Sequence, residues 1–289
     1  MKYNIRKIWM DSLGLMINQP IIIMPFVLIA FFEALALEVV YFSTRPPILP
    51  IAGPVIKKLF GEQFLHYPAY LVSLSKLFYY LQIVIYIIAG AFLVGISVNI
   101  FKNIKEKLPV RAKAMVKNSL KNYAYFFGYA LIVVFMTFLL KKVDVYVFSK
   151  LFKLGLKFLP HIQPQIYSIC LMMAIFVSNI ILQAFVILTI PIIVIDKMPL
   201  LKAFLKSMSL GFHNFGAIIA LIFLPFLIYL PISVLKSVSD VLINKTFPEI
   251  SFYITAAGII ASIFLDCFII ICISQFLLIK QKEPLKNTA

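Results

Sequence analysis

Asp266 stands in the middle of an apolar run from Phe252 to Ile279. A run of that length crosses a hydrocarbon core, and an acid near its centre costs about 2.5 to 3.5 kcal/mol on insertion scales. An acid kept at that cost is expected to face other helices or a polar cavity, never lipid. Ser262 lies one turn before it on the same helical face. Asn179, Gln183 and Glu33 supply polar groups from other apolar runs, and these five residues form the candidate intramembrane polar site. Lys and Arg are not expected at that depth. Two chemistries stay open for Asp266: a site for a proton or solute, and a structural hydrogen bond between helices.

Other chemistries find no footing in the chain. His66, His161 and His213 are scattered, without an HExxH pair or an acid placed to complete a zinc site. Cys170, Cys267 and Cys272 all fall inside apolar runs and read as packing residues rather than a disulfide or metal set. A GxSxG elbow, a paired transmembrane aspartate and a phosphate-binding glycine loop are all missing. The sequence therefore predicts no catalytic residues, no cofactor and no metal, and a protein that is not an enzyme.

The elements that must position these groups follow from composition. Hydrophobic residues make up 63% of the 289 residues and the mean hydropathy is +1.02, against roughly 45 to 50% apolar usage in soluble domains. In hydrocarbon only helices or closed barrels satisfy the backbone, and the long uninterrupted runs choose helices. The spans are expected at Ile21 to Phe42, Phe78 to Ile100, Tyr123 to Leu140, Ile166 to Val194, Phe215 to Leu235 and Phe252 to Ile279. The expected fold class is thus an all-α integral membrane protein of about six transmembrane helices, one domain over residues 1–289.

The net charge of +16 does not point to nucleic acid, because the basic residues sit in short segments between apolar runs. Lys and Arg favour cytoplasmic loops. Their bias, strongest from Lys102 to Lys121 and Lys197 to Lys206, puts both termini on the cytoplasmic side of the cell membrane, while Lys141 to Lys157 pull the other way. The cytoplasmic connections carry helical periodicity. Ala112, Met115, Val116, Leu120 and Tyr123 share one face beside Lys113, Lys117 and Lys121; Leu201, Phe204, Leu205, Met208 and Phe212 share another beside Lys202 and Lys206. Ile5, Ile8, Trp9, Leu13 and Met16 repeat the theme. These are expected to be amphipathic in-plane helices, begun in two cases by Pro109 and Pro199. The five lysines Lys113, Lys117, Lys121, Lys202 and Lys206 are the candidate contacts to anionic lipid headgroups.

The three segments resemble one another. Ser12-Leu13-Gly14 matches Ser209-Leu210-Gly211, Ser119-Leu120 lies at the same point of the middle segment, and Gln183 answers Gln275. A threefold repeat of helix hairpins, over residues 1–105, 106–196 and 197–285, would account for this. In addition, Pro191-Ile192-Ile193-Val194-Ile195-Asp196, Ala203-Phe204-Leu205-Lys206-Ser207 and Asn214-Phe215-Gly216 resemble the bacterial membrane domain fused to some glycerophosphodiester phosphodiesterases, and its stand-alone relatives. The resemblance implies a helical membrane module without chemistry of its own. The expected function is a non-enzymatic role in membrane or lipid organisation. The alternative is a transporter or permease subunit for a small or lipophilic solute, with membrane lipids, a second copy or another protein as partners.

Overall fold

A computed structural model describes residues 4–158, 164–237 and 247–282; His161 lies outside them. Six segments are long and apolar enough to cross a membrane. They are α2 (Met24–Tyr41), α4 (Ala69–Ile85) running through a π turn at Tyr86–Gly90 into α5 (Ala91–Lys105), α7 (Tyr123–Phe158), α8 (Pro164–Val186) with α9 (Thr189–Ile195), α11 (Phe215–Ser237) and α12 (Ile250–Lys282). No strand occurs among the described residues. The chain is an all-α multi-pass membrane protein.

The helices outrun the apolar runs in two places. The second span begins at Ala69, nine residues before the Phe78 expected from hydropathy. The third runs through Lys141, Lys142 and Asp144 to Lys150 instead of ending at Leu140. Lysine is a good helix former, so a charge ends an apolar run without ending the helix. Asp144 is also held, because Ser178 of α8 donates to it at 3.1 Å. The fourth span is broken between α8 and α9, and Pro191 falls in the first turn of α9, where its missing N–H would have had no helical partner.

Three shorter helices gather at one end of the bundle: α1 (Ile5–Asn18), α6 (Ala112–Leu120) and α10 (Leu200–His213). Each lies on a span, α1 on α12, α6 on α5, and α10 on α8 and α9. Each buries a serine, Ser12, Ser119 and Ser207. Ser12 sits beside Cys272, Ser119 accepts from the Asn99 amide at 2.8 Å, and Ser207 donates to the Phe185 carbonyl at 2.7 Å. Small residues let helix backbones approach closely in lipid. On α10 the buried stripe is Ala203, Ser207 and Gly211, and a Cβ on Gly211 would stand 2.9 Å from the Phe185 ring and 3.0 Å from the Ala184 carbonyl.

On α10 the protein-facing stripe is therefore not the one the periodicity marked, and on α6 only in part, since Met115 is buried; on α1 the marked Ile8 and Met16 are buried beside Ser12. Leu201, Leu205 and Phe212 stay 71%, 65% and 65% exposed, and Val116 and Leu120 are exposed too. Ser209, matched to Ser12 in the sequence, is exposed, and Ser207 takes the buried place. The prolines precede the helices instead of opening them: Lys107 and Lys197 both turn the chain at φ 55°, two residues before Pro109 and Pro199. An αL residue followed closely by proline is a helix stop.

Most buried side chains form one core at the end bearing α1, α6 and α10, running from Ile8 through Phe101, Phe126, Ile193 and Ile218 to Phe276. A smaller cluster, including Leu37, Leu71, Phe78 and Ile259, ties α2, α4 and α12 together nearer the other end. α12 is the central strut, touching α1, α2, α4, α5, α9 and α11. With α3 (Leu49–Phe60) between α2 and α4, this topology puts positions 58 and 113 at opposite ends. Single cysteines there, in a chain lacking Cys170, Cys267 and Cys272, are expected to label from opposite sides of a sealed vesicle. Labelling from the same side would rule the six-span topology out.

Candidate functional site

Between the two clusters the bundle holds a cavity of about 490 Å³, walled by α2, α4, α7, α8, α11 and α12 together with the π turn. Glu33, Gln183, Ser262 and Asp266 all line it. Asp266 is mid-helix in α12 yet exposed, because its open surface is cavity wall. Among the described residues nothing donates a hydrogen bond to its carboxylate. Ser262 turns its hydroxyl onto the Ile259 carbonyl at 2.8 Å, on its own helix. Glu33 accepts from the Gln82 amide at 3.1 Å. Asn179 does not join them: its amide donates to the Ile175 carbonyl one turn back, at 2.8 Å.

Several lining groups carry no mark in the sequence reading. Tyr86 and Tyr129 bring their hydroxyls close enough to interact, and Tyr79, Tyr229, Phe138 and Phe226 add aromatic faces. The π turn aims Tyr86 inward; a Cβ on Gly90 would meet the Tyr86 ring at 2.8 Å. Such single wide turns recur at functional sites. On α11, Pro225 lines the cavity, and a proline inside a helix frees the carbonyl four residues back.

A cation does reach the site, contrary to expectation. Lys236, from the end of α11, extends its Nζ to 3.3 Å from the Tyr229 hydroxyl and interacts electrostatically with Glu33. Gly258 makes room, since a Cβ there would stand 2.9 Å from that Nζ. The long apolar stem lets lysine carry its charge away from its own Cα. Lys141 lies over the Tyr79 ring at 5.9 Å. The rim of the cavity is basic, and its wall holds two acids and no base.

The headgroup candidates divide. Lys113, Lys117, Lys121 and Lys202 are exposed. Lys206 instead pairs with Asp196 at 2.7 Å. Asp196 also accepts from Gln281, and Lys102 donates to the Ile195 carbonyl at 3.3 Å, so this knot joins α9, α10, α12 and α5. Of the cysteines, Cys267 and Cys272 are buried, but Cys170 is exposed and packs into no core. No protein-family model matches the chain, and no curated protein or solved structure matches it either.

Proposed function

We propose that the protein is a carrier of the cell membrane, with both termini cytoplasmic, that takes a small lipophilic solute into the cavity around Asp266. The observation that carries this reading is the open carboxylate. An acid kept only to join helices would be expected to be engaged by its neighbours, and Asp266 accepts no hydrogen bond among the described residues. A volume of about 490 Å³ falls within the range of small-molecule sites, roughly 300 to 1,000 Å³, which are mostly apolar with a few converging polar groups. The helix break before α9 and the prolines Pro225 and Pro231 inside α11 give two of the walls points at which to bend.

The test is a thermal-shift screen of small solutes on the purified protein. Bound ligand raises the melting temperature by mass action. Compounds that stabilise the wild type are expected to lose their effect in Asp266→Asn, whose own melting temperature stays within about 2 °C of wild type, since no hydrogen bond to the carboxylate is lost. An absence of stabilising solutes, or shifts that survive the substitution, would overturn the reading.

A second reading, a non-enzymatic part in membrane or lipid organisation, is favoured by the outward faces of α6 and α10 and by the resemblance to the phosphodiesterase-linked membrane domain. Large apolar side chains beside lysines suit a helix lying at the headgroup level. Each lysine near an anionic surface contributes about 1 kcal/mol, screened by salt. Spin labels at positions 120 and 205 are expected to sit below the headgroups, and deeper in anionic than in neutral bilayers. Changing Lys113, Lys117, Lys121 and Lys202 to Gln should remove that difference; a depth indifferent to lipid charge would remove headgroup recognition from the case.

A further inference from the structure

Leu265 has two sides. It lines the cavity beside Asp266, and it also lines a second, almost wholly apolar groove of about 480 Å³. That groove runs between α1, α11 and α12, past Ile17, Pro20, Ile228 and Phe264. Three of its lining residues, Ile17, Ile228 and Phe264, are 79%, 58% and 55% exposed. They project from an apolar helix surface that hydrocarbon would bathe. On α11 the same division repeats: Leu224 and Ile228 face the groove, while Pro225, Phe226 and Tyr229 face the cavity. Leu265 lines both spaces, so a single side chain stands where the chamber with its two acids and the apolar groove adjoin.

The chamber has the chemistry of a cation site. Glu33 and Asp266 are the acids in its wall, and the Tyr86 and Phe226 rings line it with them, while the Tyr79 and Tyr229 rings already lie under Lys141 and Lys236. Aromatic rings attract cations through their quadrupole, more strongly when desolvated, and such cages bind quaternary ammonium groups. Lys236 and Lys141 stand at the rim, so a cation arriving there from water meets like charge. One arriving from the bilayer across Leu265 does not.

Resting on the reading of the cavity as a solute site, we infer that its ligand is an amphiphilic organic cation, with its ammonium head beside Asp266 and its alkyl tail across Leu265 in the apolar groove. Head and tail then each meet the surroundings they need. A neutral amphiphile would gain the groove but not the carboxylate; an anionic one would be repelled by Glu33 and Asp266.

The protein in nanodiscs of neutral lipid is titrated with octyltrimethylammonium, neutral octyldimethylphosphine oxide and octyl sulfate, with empty nanodiscs as blanks. The cation is expected to bind at least ~10-fold more tightly than the neutral probe, equivalent to about 1.4 kcal/mol. Asp266→Asn should abolish that margin while melting within about 2 °C of the wild type, which an unfolded variant would not do. Leu265→Trp should remove the gain in affinity between tetramethylammonium and octyltrimethylammonium. Equal binding of cation and neutral probe, or a margin that survives Asp266→Asn, overturns the assignment. So does binding of none of the three, whereas the solute reading itself stands or falls on the broader thermal-shift screen. A tail-length gain unchanged by Leu265→Trp takes the groove out of the site and overturns the placement of the tail.

Discussion

Gly211→Leu is expected to lower the melting temperature by roughly 5 to 10 °C, on the scale of 2 to 4 °C per kcal/mol for a chain near this size. The cause is local and steric. α10 is pressed onto α8 so closely that even a Cβ at position 211 would come within 2.9 Å of the Phe185 ring and 3.0 Å of the Ala184 carbonyl. The ring could swing aside, but the carbonyl is backbone and cannot. Overpacking of this kind costs typically 1 to 3 kcal/mol. It would also pull Ser207 from the Phe185 carbonyl, a bond of 2.7 Å. Gly14 supplies the control, because a Cβ there meets nothing within 4 Å. Gly14→Leu should melt with the wild type. Equal melting temperatures for Gly211→Leu and wild type would mean that α10 does not sit on α8 as described.

The second large effect is expected at the Asp196 and Lys206 pair. The Asp196 side chain is only 7% exposed, against 37% for Lys206. Removing one partner of a buried pair typically costs 3 to 5 kcal/mol, because the remaining charge stays desolvated. Lys206 is partly solvated and Gln281 still donates to Asp196, so Lys206→Met is expected to cost roughly 1 to 3 kcal/mol. Asp196→Asn together with Lys206→Met should cost less than the sum of the two single changes, with a coupling of about 0.5 kcal/mol or more. Strict additivity in denaturant melts would mean that the pair does not exist. The result also bears on lipid recognition, since a lysine committed to Asp196 is not offered to a headgroup.

Glu33, Gln183, Ser262 and Asp266 were legible through one signal, polarity inside an apolar run, and they share one cavity wall. Asn179 gives the same signal and bonds its own helix instead, because an amide in hydrocarbon can be satisfied by the carbonyl one turn back. Gln82 carries the same signal, and its amide meets Glu33 in the cavity wall. Tyr86, Tyr129 and Tyr229 could not be picked out, since a tyrosine facing a cavity and one belonging to an interfacial belt look alike in sequence. Lys236 has its Cα in the last turn of α11, while its charge lies a side chain's length away beside Tyr229.

The six spans were legible because hydrocarbon thickness sets their length. The face of α1 was legible too, in its buried Ile8 and Met16, but that of α6 only at Met115 and that of α10 not at all. In water an apolar stripe marks the side that packs on protein. Beside lipid it marks neither side, because lipid tails are as apolar as leucine and offer the same shelter. Close approach decides instead, and Ser119 and Ser207 approach where Leu120 and Leu205 cannot.

The π turn at Tyr86–Gly90 holds one residue more than the α-helix needs to advance by the same turn. Deleting a single codon there would restore an unbroken α ladder through the span. Everything upstream would then rotate by about 100° about the helix axis, the angle of one residue. Gln82 and Tyr79 would swing off the cavity wall and other side chains of α4 would replace them, with α5 and its contacts left in place. One in-frame deletion is thus a ready evolutionary route to a differently lined chamber in the same six-helix frame.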